Sequence, residues 1–386
     1  MSQPPARAEV EVDLDAIRAN VAELARRAAP AGVMAVVKAD GYGHGLLPSA
    51  RAAVDGGATW LGVAVLEEAL ALRAAGLTVP VLSWLAGPGE DYPAALAAGV
   101  DVGVNAGWAL AEVTAAAAAA GRPARVHLKV DTGLSRAGAT PEDWPGLVAA
   151  ATRAQQDGLV EVVGVWSHLA YADAPGHPTV ARQLAVFDEA VGVARAAGLN
   201  PPLRHLANSA ATLTLPAAHL DLVRPGLAVY GLSPVPDEAP PAAYGLRPAM
   251  TLRARLALVK RVPAGVGVSY GHAYTTPRAT VLGLVPAGYA DGVPRHAGGP
   301  DRPAPLLVGG ARHQVAGRVC MDQFVVDLGQ DSPAQAGDEV VLFGPGEQGE
   351  PTAQDWAEAA GTISYEIVTR LGPRLRRHYR SGRCDR

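Results

Sequence analysis

The spacing of apolar residues divides the chain into two textures. From residue 33 onward, short runs of β-formers alternate with alanine-rich stretches whose apolar positions recur at helical spacing. Eight such runs stand at 33–38, 60–65, 79–85, 100–104, 125–131, 160–169, 204–208 and 220–230. Helical segments lie between them, among them 67–75, 108–120 and 178–197, and Gly76, Gly121 and Gly198 follow where C-caps belong. Eight strands alternating with helices predict a (β/α)8 TIM-type barrel. An open doubly wound sheet is the competitor. No Gly-x-Gly-x-x-Gly follows the first strand, which weakens a dinucleotide-binding version of it.

Beyond Tyr244 the texture changes. Short, partly alternating runs at 251–260, 280–285, 312–319, 323–328 and 338–343 are punctuated by Pro-Ala-Gly, Gly-Gly and Gly-Pro-Gly turns. This predicts a C-terminal, mostly antiparallel β domain. Two helical runs then open at Thr352 and Ser364, both good N-cap residues. At the other end, Glu9 to Asp13 alternate as a short strand, and Asp13 or Asp15 can cap the helix that follows. The proline-rich 231–244 reads as a linker. The domains are therefore expected as a barrel over 13–240 and a β domain over 241–386, joined by an N-terminal strand within 1–12.

Composition adds limits. A chain of 386 residues is too long for one ordinary core, in line with two domains. A net charge of -4 provides no field that favours nucleic acid or an anionic membrane. The two cysteines, Cys320 and Cys384, form no disulfide framework and no zinc spacing, so no metal is expected. The first fourteen residues carry acids and no apolar core, and no uninterrupted apolar run is long enough for a bilayer. The expectation is a cytoplasmic protein. Six arginines between 374 and 386 read as a solvated, frayed terminus.

The candidate chemistry gathers at strand ends, where a barrel keeps its active site. The first strand ends in Lys38, the fifth in Lys129 and Asp131, the sixth in His168, the seventh in Asn208 and Ser209, and the eighth contains Arg224. Burying an ammonium is costly. A desolvated lysine, however, loses its proton more easily and can form a Schiff base. A lysine snorkelling from a strand end is the alternative for Lys38 taken alone.

The segment Ala35-Val-Val-Lys-Ala-Asp-Gly-Tyr-Gly-His-Gly45 resembles the pyridoxal-phosphate lysine segment of the alanine racemase family. Further matches follow in the family's order. They are Leu128-Lys-Val-Asp-Thr-Gly-Leu-Ser-Arg136, Trp166-Ser-His168, Asn208-Ser209, Val223-Arg-Pro-Gly-Leu-Ala-Val-Tyr-Gly231, Val268-Ser-Tyr-Gly271, Ala287-Gly-Tyr-Ala-Asp-Gly292, Cys320-Met-Asp322 and Ile363-Ser-Tyr-Glu366. Asp40 stands where relatives often have Asn, and Pro225 follows the arginine.

The resemblance implies an isomerase that interconverts L- and D-alanine for the cell wall, with pyridoxal 5′-phosphate as cofactor. It implies Lys38 and Tyr270 as the two bases, one on each face of the substrate α-carbon. It assigns Tyr42, Asn208, Ser209, Gly226, Leu227 and Tyr365 to the cofactor, and places Arg224 at the pyridine nitrogen with His168 orienting it. Arg136 and Met321 would bind the substrate carboxylate, Tyr289 and Tyr365 would narrow the entrance, and Lys129 would be carbamylated, as in many relatives. It also implies a homodimer in which the partner chain supplies Tyr270 and Met321. A racemase of broader or serine specificity, a barrel-type decarboxylase and a non-catalytic pyridoxal-phosphate-binding protein are the alternatives. The decarboxylase would want an acid where Arg224 stands, and the non-catalytic proteins resemble the barrel alone.

Overall fold

A computed structural model describes residues 6–299 and 301–382. Within it the chain forms two compact units: one of residues 17–41 and 46–246, the other of the described residues up to 16, 42–45, and those from 247 on.

The first unit is the barrel. Its parallel strands are β2 (Gly32–Val36), β3 (Trp60–Val63), β4 (Val81–Ser83), β5 (Asp101–Val104), β6 (Ala124–Lys129), β7 (Val160–Trp166), β8 (Leu203–His205) and β9 (Leu222–Val223). They are hydrogen-bonded in the order β8-β7-β6-β5-β4-β3-β2-β9. The gap between β8 and β9 is bridged just outside the ladder, where Arg224 N donates to Ala207 O at 2.8 Å and Asp221 N to Arg204 O at 3.1 Å. The strands β3 to β5 are almost wholly buried, as expected of strands covered on both faces.

The ladders stop earlier than the apolar runs do. The expected strand at 220–230 is two residues long, and a 3-10 turn, Leu227–Tyr230, takes its place. Pro225 has no N–H to give to a neighbouring strand, so pairing ends before it. The ends of β7 and β8 likewise release 167–169 and 206–208 into loops at the barrel mouth. Gly121 closes its helix in the left-handed conformation, with φ 62°.

The second unit is built on a nine-stranded sheet ordered β11-β14-β17-β16-β15-β18-β10-β1-β19. Its members are β1 (Ala8–Asp13), β10 (Met250–Arg255), β11 (Leu258–Val262), β14 (Thr280–Val285), β15 (Pro305–Val308), β16 (Ala311–Val315), β17 (Phe324–Gly329), β18 (Glu339–Phe343) and β19 (Arg376–Arg380), with a separate ribbon of β12 (Gly267–Val268) and β13 (Tyr274–Thr275). The run expected as one strand over 251–260 is two strands that pair in different parts of the sheet. Thr352 caps its helix through a reciprocal bond with Asp355, whereas Ser364 is the first helical residue and Ile363 precedes it.

The arginine-rich tail is not frayed through residue 380. β19 runs parallel to β1 with Glu9, Glu11 and Asp13 in register with Arg376, His378 and Arg380. Alternate acids therefore face alternate bases, and such cross-strand pairs stabilise an edge strand. Arg383 and Arg386, like Cys384, lie outside the described residues.

Asp13 is the centre of this edge. Its Oδ1 accepts from Ala16 N at 3.0 Å, so it is Asp13 that caps the helix Leu14–Ala28. Its Oδ2 accepts from Arg247 at 2.7 Å and Arg380 at 2.8 Å. Asp13→Ala removes the cap and takes one carboxylate contact from each of the two guanidinium groups, at an expected cost of ~2 kcal/mol. Arg380→Ala, at an exposed partner, should cost well under half of that. Hydrogen exchange of the β1 and β19 amides measures both, and equal losses in the two variants would contradict this ranking.

Candidate active site

At the barrel mouth, backbone strain sets the first side chain. After Lys38 the chain makes a left-handed turn, with φ of 54° at Ala39, 53° at Asp40 and 62° at Gly41. Each non-glycine residue in this conformation costs roughly 1–2 kcal/mol. Hydrogen bonds hold the turn. Gly41 N donates to Val37 O at 2.9 Å, Ala39 N to Glu68 Oε1 at 2.6 Å, and Leu46 N to Asp40 Oδ1 at 2.8 Å. Asp40 acts through a carbonyl-like oxygen and tolerates left-handed backbone, properties an asparagine would share. Lys38 is thereby fixed at the rim, and its pKa is lowered by burial first and by Arg136 second.

Three further cations join Lys38. Lys129, the last residue of β6, is 6% exposed, with Nζ 4.4 Å from the centre of the Trp166 ring. Burial, then Arg224 and Arg136, bring its pKa down to about 8. Arg224 is 5% exposed and stacks over the same indole at 4.9 Å. Its Nη2 donates to Ser167 O at 2.8 Å, and its Nη1 lies 3.0 Å from His205 Nδ1. Burial lowers it to about 9, which leaves it charged at neutral pH. Among the described residues, none of Lys38, Lys129, Arg136 and Arg224 forms an ion pair with a carboxylate. Asp131 is used otherwise, since its Oδ1 accepts from the N–H groups of Gly133, Leu134 and Ser135 and shapes the turn that carries Arg136.

His168 stands beside Arg224, but at 3.4 Å its Nδ1 is the more distant contact of the guanidinium. Burial and then Arg224, Arg136, Lys129 and Lys38 push it down to about 3, so the ring is neutral. Asn208 caps the helix Ser209–Thr214 through Ala211 N, and Ser209 Oγ accepts from Gly226 N at 2.8 Å and Ala228 N at 3.2 Å. The structure thus joins Ser209 to the loop that contains Gly226 and Leu227.

The remaining candidates lie in the β unit. Tyr42 and Tyr365 meet there, with ring centres 6.3 Å apart, and burial raises the Tyr42 pKa. Tyr289 N donates to Cys320 O at 3.1 Å, which places Tyr289 beside the Met321 loop. Ser269 Oγ donates to Arg318 O at 2.7 Å and ties the Tyr270 turn to the same segment. Tyr270 and Met321 are 70% and 54% exposed.

Sequence reasoning missed His205, Ser167 and Trp166, which contact Arg224, and Glu68, which holds the turn after Lys38. It also missed His127 and Asp101 behind them. A signal existed for His127: it precedes Lys129 by two residues on a strand, so both share a face. Glu68 and the Ser167 carbonyl had none, because their contacts come from tertiary approach.

A family model described as alanine racemase, N-terminal domain, matches residues 12–234, and one described as alanine racemase, C-terminal domain, matches 249–379. The curated alanine racemase of Frankia casuarinae is 64% identical, covering 95% of each chain. That of Streptomyces coelicolor is 61% identical, covering 97% of this chain and 96% of the relative. The crystal structure of alanine racemase from D-cycloserine-producing Streptomyces lavendulae superposes with a TM-score of 0.96 at 58% identity, covering 98% of each chain. A parallel barrel with four cations at its mouth, followed by a β unit and matched over nearly its full length, makes this chain a member of the alanine racemase family.

Proposed function

We propose that the chain interconverts L- and D-alanine with pyridoxal 5′-phosphate held at Lys38. The carrying observation is the set of four cations without a carboxylate partner. An anionic phosphate and the carboxylate of an amino acid would together supply the missing negative charge, so the residues fit the group. When bound, the cofactor withdraws electrons from the substrate α-carbon and makes its proton acidic.

The chain's own residues do the rest. Arg224, a permanent donor, faces the ring nitrogen and disfavours its protonation, which limits the electron sink and suppresses side reactions. Ser209, the backbone of Gly226 and Leu227, Tyr42 and Tyr365 hold the phosphate, and Asn208 fixes the helix that carries Ser209. Lys38, its pKa lowered by burial, takes or returns the α-proton on one face. Tyr270 serves the opposite face. Arg136 and the Met321 backbone bind the carboxylate, and Tyr289 and Tyr365 limit the side chain to about a methyl group. The product would supply peptidoglycan synthesis in the cytoplasm. No helix among the described residues is long and apolar enough to cross a membrane.

Purified protein loaded with cofactor should convert either enantiomer of alanine to the racemate, act more slowly on serine and hardly at all on lysine. Borohydride reduction should leave the cofactor bonded to Lys38. A label found instead on Lys129 or Lys260 would sink the assignment, and a loaded enzyme faster on serine than on alanine would favour the broader-specificity reading.

Lys129 bears on Arg136. Its amine must be neutral to add carbon dioxide, and a pKa of about 8 makes that form accessible at ordinary pH. Deprotonation rises with pH, so the 13C carbamate signal of protein in labelled bicarbonate should grow as pH increases through about 8. The signal should be absent from Lys129→Ala. A wild-type spectrum without it would leave Arg136 to be positioned by the Asp131 turn alone.

The exposed Tyr270 and Met321 favour a partner chain as the place where they act. In a two-fold dimer each of two equivalent sites would then take Lys38 from one chain and Tyr270 from the other. Lys38→Ala and Tyr270→Ala should each be nearly inactive. In mixed dimers one site loses both groups and the other keeps both. Random pairing makes roughly half the dimers mixed, each with one good site, so activity should return to about a quarter of wild type. Proven subunit exchange without recovery would place the whole site in one chain.

A further inference from the structure

Arg224 is the near end of a row of hydrogen bonds that crosses the barrel interior. His205 Nδ1 lies 3.0 Å from its Nη1, His205 Nε2 lies 2.9 Å from His127 Nδ1, and His127 Nε2 lies 3.2 Å from Asp101 Oδ2. Asp101, His127 and His205 come from β5, β6 and β8, and none is more than 1% exposed. At the far end Arg125 Nε donates to the other Asp101 oxygen at 3.0 Å, and Arg125 in turn pairs with Glu161 at 3.0 Å.

The chemistry of the ends fixes every proton between them. A guanidinium only donates. His205 Nδ1 must therefore accept, which puts the His205 proton on Nε2. That proton points at His127 Nδ1, which must accept in its turn. The His127 proton then sits on Nε2 and faces a carboxylate, which accepts. Each ring is neutral, with one donor and one acceptor. Burial, the largest influence on both rings, drives them the same way. Reversing either tautomer would set proton against proton or lone pair against lone pair.

The packing makes room for this row. A Cβ at Gly164 on β7 would stand 2.5 Å from His127 Nδ1 and 3.2 Å from His205 Nε2, so only glycine lets the two rings meet. The His205 ring lies flat on Trp166, 8° from parallel with centres 5.6 Å apart. The same indole carries Arg224. Apolar side chains would fill this space at lower cost than a buried polar row, so stability alone is a poor reason for it.

We propose that His205, His127 and Asp101 are positioning residues for Arg224. Anchored on the Asp101 carboxylate, the row engages one edge of the guanidinium, fixes its rotation and leaves another edge for the ligand. The proposal rests on the reading that Arg224 faces the cofactor ring.

Long-range 1H–15N spectra of histidine-labelled apoprotein should show both His205 and His127 as the neutral Nε2–H form. His127→Gln can still accept from His205 and donate to Asp101, whereas His127→Phe fills the space and does neither. The Gln variant should keep the wild-type Arg224 guanidinium signals in the apoprotein and most of kcat. The Phe variant should shift those signals and lose on the order of tenfold in kcat, with little change in KM. A proton on Nδ1 of either ring would overturn the proposal. So would a folded Phe variant whose Arg224 signals and kcat match those of Gln. Should the Phe variant not fold, Asp101→Leu makes the same comparison. Wrong tautomers would remove the row and leave racemisation standing. An inactive wild type with correct tautomers would sink the functional reading instead.

Discussion

Four cations share the mouth of one barrel, and among the described residues none of them is ion-paired with a carboxylate; Glu68 and Asp131 reach Lys38 and Lys129 only at longer range, and the rest of the site depends on that imbalance. Like charges ~6 Å apart repel by about 3 kcal/mol at an effective dielectric constant of ~20. A protein keeps such an arrangement only if something offsets it. Part of the offset is built in. The Trp166 face receives Lys129 and Arg224. The remainder is available to an anionic ligand. Burial first, and this repulsion second, lower the pKa values of Lys38 and Lys129, so the field that attracts the ligand also helps prepare a lysine to accept a proton.

Strain supplies the geometry that charge cannot. The left-handed run after Lys38 would not persist in an isolated chain, since two of its residues carry a Cβ that opposes it. It persists because the surroundings determine it several times over. Glu68 is the tightest of these constraints: one carboxylate oxygen takes the N–H next to Lys38 while the other takes those of Ala64 and Val65 at the start of a neighbouring helix. The lysine is thereby referenced to a rigid element of the barrel rather than to its own loop.

The parts of this arrangement legible in the sequence are those with a local cause. Alternation of period two and of period 3.6 gave the barrel and the β unit, and the rule that barrel chemistry sits at strand ends picked out Lys38, Lys129, His168, Ser209 and Arg224. The failures have other origins, most of them non-local. The strand expected across 220–230 is cut by the missing N–H of Pro225, a local signal that the apolar run concealed. The tail arginines looked like solvated charge because their acidic partners lie more than 360 residues away, on β1. His205 and His127 looked like ordinary strand residues. Only the closing of the sheet, and the bare Cα of Gly164, brings them within hydrogen-bonding distance of one another.

The β unit shows the opposite economy. Its core holds large side chains such as Trp356, Phe324 and Phe343, which are almost fully buried. Yet Tyr270, Met321 and Ile363 remain more than half exposed. Ser269, just before Tyr270, is held at φ 62°, and its hydroxyl is tied to the segment that carries Met321. A unit able to bury its tryptophan and phenylalanines does not leave these side chains out for want of space. Holding them outward on a strained, hydrogen-bonded turn costs stability and brings no packing in return. That cost makes sense if their partner surface belongs to the reaction. The barrel mouth has cations to bind and orient a substrate, and the pKa values of its lysines, Lys38 and Lys129, are lowered toward neutral pH. Arg224 and Arg136 are permanent cations, and His168 stays neutral down to about pH 3. On the proposed reading Tyr270 serves the second face of the substrate, and an outward-facing tyrosine on a rigid turn is a group of the right kind.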